Sequence, residues 1–151
     1  MTNLADLFVP EAILPDLASS DKETTIRSLV RALSGAGCVE DEDGFVEAIL
    51  HRENIESTGI GLGVAIPHAR TDAVSRTVLA FGRTREGIDF NSLDGKPSRL
   101  VFLIAAPESN KTEYIMTLAR VSRLLRRDAV REALLEAETP GRVIDIIRDN
   151  G

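Results

Sequence analysis

The sequence contains no tryptophan, one tyrosine and five phenylalanines among its 151 residues. Aromatic side chains make up only 4% of the chain, so its core must be built mainly from aliphatic residues. Hydrophobic residues reach 43% and charged residues 28%, a balance that is typical of globular domains. A chain of this length fits one domain and can bury a substantial core. We therefore expect a single domain over residues 1–151.

Cysteine is almost absent, and long apolar runs are missing altogether. A lone cysteine, Cys38, cannot form an internal disulfide, so a reducing compartment is the simplest expectation. No apolar run approaches the roughly 18 residues that a membrane span requires. The opening stretch MTNLADLFVPEAIL has neither the basic region nor the uninterrupted apolar region of a secretory signal. We expect a cytoplasmic protein that does not insert into membranes.

Basic residues are a minority, with 18 Lys and Arg against 24 Asp and Glu and a formal net charge of -6. A general nucleic-acid binder needs clustered basic surface to neutralise phosphates, so nucleic acid is not an expected partner. The two histidines, His51 and His68, are far apart in sequence, and Cys38 lies near neither. This spacing does not favour a zinc site, and we expect no metal and no cofactor.

Two helical patterns occupy the first third of the chain. Ser20 opens a capping-box pattern over residues 20–23, and apolar residues follow at helical spacing. Gly35 and Gly37 are expected to end this first helix. A second helix is expected to begin in the acidic turn at residues 40–43, which favours the helix dipole, and to continue to residue 53.

Strand patterns follow the helices. Residues 64–66, 76–84 and 99–107 are predicted strands, and the last is a nearly continuous apolar run typical of a strand covered on both faces. Residues 91–97 between the two longer strands are rich in turn formers.

Helical patterns return after the last strand. Asn110, with Glu113, is predicted to cap a helix that ends near Arg126, and Asp128 to cap the next helix. Thr139 and Pro140 are predicted to start a final helix. Helices, then strands, then helices predict an α/β fold with a mixed sheet flanked by helices on both faces.

The most unusual stretch is GIGLGVAIPHAR, residues 59–70. A Walker loop would end in GK[ST], which is absent. A dinucleotide fingerprint would read G-x-G-x-x-G between a strand and a helix, and here both the spacing and the context differ. The glycines are better suited to tight turns and close backbone approach, and their exposed N–H groups could bind a phosphoryl oxygen.

His68 ends this stretch directly after Pro67, at an expected exposed strand end. One interpretation is a hydrogen-bonded structural histidine. The other is a neutral imidazole with one nitrogen free to attack, as phosphoryl acceptance requires. A hydrolytic triad is possible in principle, but no nucleophile motif stands out.

Arg52 lies on the apolar arc of the second predicted helix, whereas His51 lies on the opposite, solvated side. A guanidinium at this helix end could bind a phosphoryl group through two hydrogen bonds. Alternatively, Arg52 could extend into solvent or pair with a carboxylate such as Glu53. The pattern alone leaves both interpretations open.

The segments HREN (51–54), STGIGLGVAIPHAR (57–70), DGKP (94–97) and RLVFLIAAP (99–107) together resemble the enzyme IIA domain of the fructose/mannitol class. This class belongs to the bacterial phosphotransferase system, and its nitrogen-regulatory IIA proteins look most similar. The resemblance covers about residues 4–147, so we expect a free-standing domain. It implies a mixed sheet flanked by helices and a histidine that accepts a phosphoryl group from a phosphorylated histidine carrier protein (HPr-like). In sugar transport the group passes to a IIB partner, and in regulation it alters protein contacts.

By this resemblance, His68 matches the phosphorylated histidine and Arg52 matches the arginine that helps to hold the phosphoryl group. The family usually has a second histidine at the start of the helix after the long strand. Here Tyr114 occupies that place, or Glu113 if the alignment slips by one residue. A tyrosine hydroxyl can donate a hydrogen bond to a phosphoryl oxygen, but the spacing of Tyr114 with the apolar residues of this helix favours a tyrosine packed in the core. Backbone N–H groups beside the site are expected from Thr58, Gly59 and Gly61.

Two functions follow from these observations. The first is a phosphocarrier, in which His68 attacks a donor phosphohistidine and Arg52, Tyr114 and the N–H groups stabilise charge on the phosphoryl group. The second is a regulatory protein-binding module that is poorly phosphorylated or not phosphorylated, because the second histidine is replaced. The arginines of RVSRLLRRDAVR (120–131) could dock an acidic regulatory target, or they could form an ordinary solvated face.

Overall fold

The computed structural model describes residues 3–19 and 21–151. A short 3-10 helix, Leu4–Leu7, precedes the first strand. The strands are β1 (Phe8–Leu14), β2 (Gly59–Gly61), β3 (Val64–Ala65), β4 (His68–Arg70), β5 (Val78–Ile88) and β6 (Ser98–Ala106). The α helices are α1 (Lys22–Gly35), α2 (Glu42–Ile55), α3 (Lys111–Leu124), α4 (Asp128–Glu136) and α5 (Pro140–Asn150).

The described strands form one mixed sheet in the order β1-β5-β6-β3-β2, and β4 also pairs with β6. β1 is parallel to β5, and β3 and β4 are both parallel to β6. The β5–β6 and β2–β3 pairs are antiparallel. The predicted mixed sheet is confirmed.

Helices cover both faces of the sheet, as predicted. Apolar side chains of α1 and α2, among them Ile26, Leu29, Phe45 and Ile49, pack on one face. The other face packs against α3, α4 and α5 through residues that include Val121, Leu134, Val143 and Ile147. β6 contributes to both cores, with Leu103 on the first side and Phe102 on the second, which confirms that this strand is covered on both faces.

The sequence patterns missed β1, so a strand precedes the first predicted helix. Pro10 and Glu11 interrupt its apolar pattern and are exposed. β1 lies at the edge of the sheet, where the missing N–H of a proline is tolerated, and its register with β5 shifts between Phe8 and Ile13. Phe8 and Ile13 of the same strand are nevertheless buried.

The capping of α1 and α4 differs from expectation. Ser20, the expected cap of α1, lies outside the described residues. Asp21 is the N-cap residue, because its carboxylate accepts the Thr24 N–H at 2.7 Å. The bonds from the Thr24 N–H and the Thr24 hydroxyl lower the pKa of Asp21. The prediction that Asp128 caps α4 is wrong: Arg127 is the N-cap residue, and Asp128 instead pairs with a side chain one turn later.

The caps of α3 and α5 agree with expectation in part. Asn110 is the N-cap residue of α3, but its side chain donates to the Glu113 carboxylate at 3.2 Å instead of accepting a backbone N–H. Thr139 caps α5 as predicted, accepting the Arg142 N–H at 3.1 Å, and Pro140 is the first helical residue. Within residues 3–19 and 21–151, no helix has the length and apolar character needed to cross a bilayer.

Candidate functional site

The glycines of residues 59–63 shape a small hairpin formed by β2 and β3. A Cβ on Gly59 would lie 3.0 Å from the Ser92 Cα and 3.1 Å from the Phe90 Cβ, so only glycine allows this close approach. Gly61 and Gly63 have φ values of +86° and +75°, which side chains disfavour. These positions confirm the expected tight turn and close packing.

Pro67 lies between two short strands, of which only the first, at residues 64–66, was predicted. β3 ends at Ala65, and β4 begins at His68, which is opposite Ile104 of β6. Pro67 has no N–H for the ladder, but its carbonyl accepts the Ile104 N–H at 3.0 Å. His68 therefore opens a strand instead of ending one.

The His68 side chain is buried, which corrects the expectation of an exposed strand end. Only 7% of the residue is accessible. The Tyr114 ring at the start of α3 lies beside it, with ring centroids 5.8 Å apart and planes tilted by 54°. α3 packs against the same strand, β6, that pairs with β4, and this packing explains the burial.

One hydrogen bond fixes the tautomer of His68. Its Nδ1 lies 2.5 Å from the backbone carbonyl oxygen of Ile66. Because a carbonyl only accepts, Nδ1 carries the proton and the neutral ring has its lone pair on Nε2. Burial is the largest influence on the pKa of His68 and lowers it, whereas the bond to Ile66 raises it. The positive charge of Arg52 lowers this pKa further, and the negative charge of Glu53 raises it. The ring is consequently neutral at pH 7.

An open depression of about 410 Å³ lies beside His68, at the edge of the sheet between α2 and α3. Arg52 enters it from α2, Arg70 from β4 and Tyr114 from α3. The complete lining is Ala48, His51, Arg52, Ala69, Arg70, Glu108 and Tyr114. His68 does not line the depression itself, but its ring lies against Tyr114 and its pKa is affected by Arg52, so the structure places Arg52, His68 and Tyr114 near one another.

Arg52 is partly exposed and donates to the backbone carbonyl of Glu56, the C-cap residue of α2, at 2.9 Å. The alternative pairing of Arg52 with Glu53 is wrong, because Glu53 forms an ion pair with Lys22, Oε2 to Nζ at 3.0 Å. Arg52 is close enough to His68 and to Tyr114 for its charge to lower the pKa of both.

Glu53 is a buried carboxylate that the sequence analysis did not assign to the site. Its side chain is 2% exposed, and it accepts the Thr58 N–H at 3.2 Å, the Thr58 hydroxyl and the Lys22 ammonium. Helical spacing could have identified it, because residue 53 follows the buried Ile49 by four positions and so shares its face. Glu53 links α1, α2 and the approach to β2.

Two of the three backbone N–H groups expected to hold a phosphoryl group, those of Thr58 and Gly59, are already bonded within the protein. The Thr58 N–H goes to Glu53, and the Gly59 N–H goes to the Ser57 hydroxyl at 3.0 Å. The Thr58 carbonyl accepts the Ile66 N–H at 3.0 Å. Because the Ile66 carbonyl in turn accepts from His68, Thr58 supports His68 through the backbone.

The sheet register does not bring Gly61 to His68. Gly61 is opposite Val64, and Val64 is opposite Leu100, whereas His68 is opposite Ile104. Four residues along β6 correspond to about 13 Å. Gly61 therefore shapes the hairpin at a distance from the imidazole.

Tyr114 lies both at the core and at the site. It packs partly against the second core together with Leu118, and Val121 and Leu125 of the same stripe are buried, as the spacing predicted. Burial raises the pKa of Tyr114, and the charges of Arg52 and Arg70 oppose this. Its hydroxyl is a protonated hydrogen-bond donor at neutral pH.

The sequence analysis missed Arg70, although alternation along a strand would have found it. Residues two apart on a strand project to the same side, so Arg70 follows His68 in β4. His51 is exposed, as expected, yet it lines the same depression as Arg52. Among the residues that the structure describes, no group of three or more potential ligand side chains could hold a metal ion.

Comparison with known proteins identifies the family. Residues 6–150 match the family described as "Phosphoenolpyruvate-dependent sugar phosphotransferase system, EIIA 2". The chain belongs to this family. It is 39% identical over 149 residues to the "PTS system fructose-specific EIIA component" of Haloferax volcanii, covering 99% of this chain and 97% of that protein. The resemblance inferred from residues 51–107 is confirmed.

Other members of this EIIA family differ in size and role. The chain is 44% identical to the "PTS system fructose-specific EIIABC component" of Bacillus subtilis over 147 residues, 97% of this chain, but spans only 23% of that longer protein. It is 38% identical over 132 residues to a "Nitrogen regulatory protein" of Bradyrhizobium diazoefficiens, covering 87% of this chain and 85% of that protein.

Solved EIIA structures share this fold. The nitrogen regulatory protein IIA-Ntr of Neisseria meningitidis superposes with a TM-score of 0.90 at 28% identity, covering 97% of this chain and 99% of that chain. An Escherichia coli enzyme IIA of the mannitol system, solved in complex with phosphorylated enzyme IIB, gives a TM-score of 0.79 at 29% identity. That match covers 93% of this chain and 98% of the other.

Proposed function

We propose that the chain is a phosphocarrier of the EIIA family that accepts a phosphoryl group on Nε2 of His68. The single observation that carries this proposal is the hydrogen bond from Nδ1 to the Ile66 carbonyl, which leaves Nε2 with the free lone pair. A lowered pKa keeps the imidazole neutral and nucleophilic. Arg52 supplies positive charge beside it.

The transfer balances without a cofactor. Nε2 of His68 forms a bond to phosphorus while the corresponding N–P bond of the donor phosphohistidine breaks, and the donor ring leaves as neutral imidazole. Nδ1 keeps its proton, so the phosphorylated His68 ring gains positive charge. The Ile66 carbonyl and the nearby carboxylate of Glu53 stabilise that charge, and Arg52 stabilises the phosphoryl oxygens.

Tyr114 takes the place of the second histidine that the family resemblance implies. In this proposal its hydroxyl donates a hydrogen bond to a phosphoryl oxygen but exchanges no proton, because its raised pKa keeps it protonated. Thr58 and Gly59 act as positioning residues, since their N–H groups are bonded to Glu53 and Ser57. Gly61 shapes the hairpin only.

The proposed partners are other proteins of the phosphotransferase system. The donor is a phosphorylated histidine carrier of the HPr type, in the cytoplasm, and the acceptor is a IIB domain. The Escherichia coli complex of enzyme IIA mannitol with phosphorylated IIB supports a IIB acceptor. In this proposal residues 1–151 act as one EIIA domain.

The test is phosphorylation of the purified protein with phosphoenolpyruvate, enzyme I and the carrier protein. We expect an acid-labile, hydroxylamine-sensitive phosphate on the wild type and none on His68→Ala or His68→Gln. His51→Gln is the matched control and is expected to retain the label. An unlabelled wild type, or undiminished label on His68→Ala, would overturn the proposal.

A second candidate function is regulation of partner proteins by the phosphorylation state. The similarity to the nitrogen regulatory protein of Bradyrhizobium diazoefficiens and the TM-score of 0.90 with IIA-Ntr favour it. A docking surface for an acidic target is available at the end of α3, where Arg120, Arg123 and Arg127 surround a small depression.

Regulation is tested by measuring partner binding to His68→Asp, which carries a negative charge, and to the neutral His68→Ala. A regulated partner binds the two variants with different affinity. A charge reversal at Arg123, which is exposed, is expected to weaken binding if the arginines form the docking surface. Partners that bind both His68 variants equally contradict the regulatory function.

A further inference from the structure

The depression beside His68 contains two arginines that no carboxylate neutralises. Within residues 3–19 and 21–151, neither Arg52 nor Arg70 has an acidic side chain within 4.0 Å; of the arginines, only Arg27, Arg85, Arg131 and Arg148 do, so what distinguishes Arg52 and Arg70 is that they line one depression together. Arg52 and Arg70 instead donate to the backbone carbonyls of Glu56 and Glu108. A carbonyl orients a guanidinium but does not cancel its charge.

The two guanidinium groups approach Tyr114 from different elements. The Arg70 Cζ lies 5.9 Å from the centroid of the Tyr114 ring, and Arg52 and Arg70 both lower the pKa of its hydroxyl. Like charges held near one another are unfavourable unless an anion lies between them. Their position beside His68 is therefore suited to an anion that forms during the reaction.

We infer that Arg70 is a second phosphoryl-binding residue, which with Arg52 holds the group carried on His68. This inference rests on the proposed function. Arg52 supplies charge from α2 and Arg70 from β4, and Tyr114 lines the same depression. Arg70 thereby supplies the positive charge that a tyrosine in the place of the second histidine does not.

The local geometry explains why Arg70 reaches the phosphoryl group. It follows His68 by two residues on β4, so both side chains project to the same side of the strand. Its contacts with the Glu108 carbonyl, at 3.2 Å, and with the Tyr114 ring hold the guanidinium over the depression. Glu108 also lines this depression, and its carboxylate forms no ion pair with Arg70 within 4.0 Å.

The test is a phosphorus NMR titration of the phosphorylated protein, which reports the second pKa of the phosphoryl group. The second ionisation of a phosphorylated side chain has a pKa of about 6, and a nearby cation lowers that pKa. We expect Arg70→Gln to raise the phosphoryl pKa by about 0.5 or more and to slow the transfer by about tenfold, whereas Arg70→Lys retains most of the wild-type pKa. A role in folding alone would not move this pKa.

The matched control is Arg85→Gln, which removes the same charge from an exposed side chain. Leu79 of β5 and His68 of β4 are both opposite Ile104 of β6. Arg85 lies six residues further along β5 than Leu79, so it is about 20 Å from His68 along the strand direction. Equal phosphoryl pKa values in the wild type, Arg70→Gln and Arg85→Gln overturn the role of Arg70 and leave the proposed function intact. Failure of the wild type to become phosphorylated overturns both.

Discussion

The Nδ1 atom of His68 lies 2.5 Å from the backbone carbonyl oxygen of Ile66. The N–H of the same Ile66 donates to the carbonyl of Thr58, and Thr58 is bound to the buried carboxylate of Glu53. The orientation of the imidazole therefore depends on a chain of contacts that begins in α2. Substitutions in this chain of contacts are therefore expected to affect His68 without touching a phosphoryl group.

Burial of His68 makes the stability of the protein dependent on pH. Because the pKa of His68 is lowered in the folded state, the unfolded chain binds its proton at higher pH. The contribution of His68 to the free energy of unfolding is therefore fully retained above the ordinary histidine pKa of about 6.5, and it is lost as the pH falls from there toward the lowered pKa of the folded state. We expect the wild type to lose more stability than His68→Gln between about pH 8 and about pH 5.5. Denaturant unfolding measures this difference, and equal losses would contradict it.

The Lys22–Glu53 ion pair is expected to behave as a coupled unit. Lys22→Met leaves the Glu53 carboxylate buried with only the Thr58 donors, at a cost of about 2 to 4 kcal/mol in unfolding free energy. Glu53→Gln added to Lys22→Met removes the uncompensated charge, so the double variant should lose less than the sum of the single losses. Urea unfolding of the wild type, Lys22→Met, Glu53→Gln and the double variant provides the double-mutant cycle. Additive losses would show that the pair is not coupled.

Glu53 is also expected to affect His68 directly. Its negative charge raises the pKa of His68, so Glu53→Gln should lower that pKa further. Histidine NMR titration of the unphosphorylated protein measures the change in the His68 pKa. An unchanged His68 titration would contradict this electrostatic connection.

The Tyr114 hydroxyl is expected to contribute modestly to transfer. Tyr114→Phe keeps the ring against the core and His68 but removes the donor, so we expect the transfer to slow by about threefold to tenfold, with little change in stability. Tyr114→His is expected to match or exceed the wild-type rate. Rapid-quench transfer from the carrier protein measures these rates. Tyr114→Phe that transfers as fast as the wild type would exclude a role for the hydroxyl.

Close packing at Gly59 predicts a specific loss of stability. An added Cβ would press on the Ser92 Cα and the Phe90 Cβ, so Gly59→Ala should cost about 1 to 3 kcal/mol in unfolding free energy. Gly141→Ala in α5 is the matched control, because nothing lies within 4 Å of its Cβ position, and it should leave stability unchanged or slightly higher. Similar thermal shifts in both variants would contradict this explanation.

Much of the fold followed from local sequence signals. The apolar spacing of Ile26 and Leu29, the continuous run of β6 and the Thr139–Pro140 start of α5 were sufficient to predict their elements. β1 was missed because Pro10 disrupts its pattern, and its place was set by pairing with β5, which is distant in sequence. Pairing between distant segments is not visible in local periodicity.

The site was predictable mainly where one local motif carries it. His68 and Arg52 were assigned from family resemblance, and the structure places both of them near Tyr114. Arg70 and Glu53 were not singled out because their contacts lie in other elements, Tyr114 for the first and Lys22 for the second. The burial of His68 was also not predictable, since α3 covers it only after the chain folds.

The most direct test of the central claim is to identify the nitrogen of His68 that carries phosphorus. Nitrogen-15-labelled protein, phosphorylated by its carrier protein and examined by nitrogen and phosphorus NMR, reports the two ring positions separately. We predict phosphorus on Nε2, with the proton retained on Nδ1 beside Ile66. Phosphorus on Nδ1, on His51 or on no histidine at all would contradict the account.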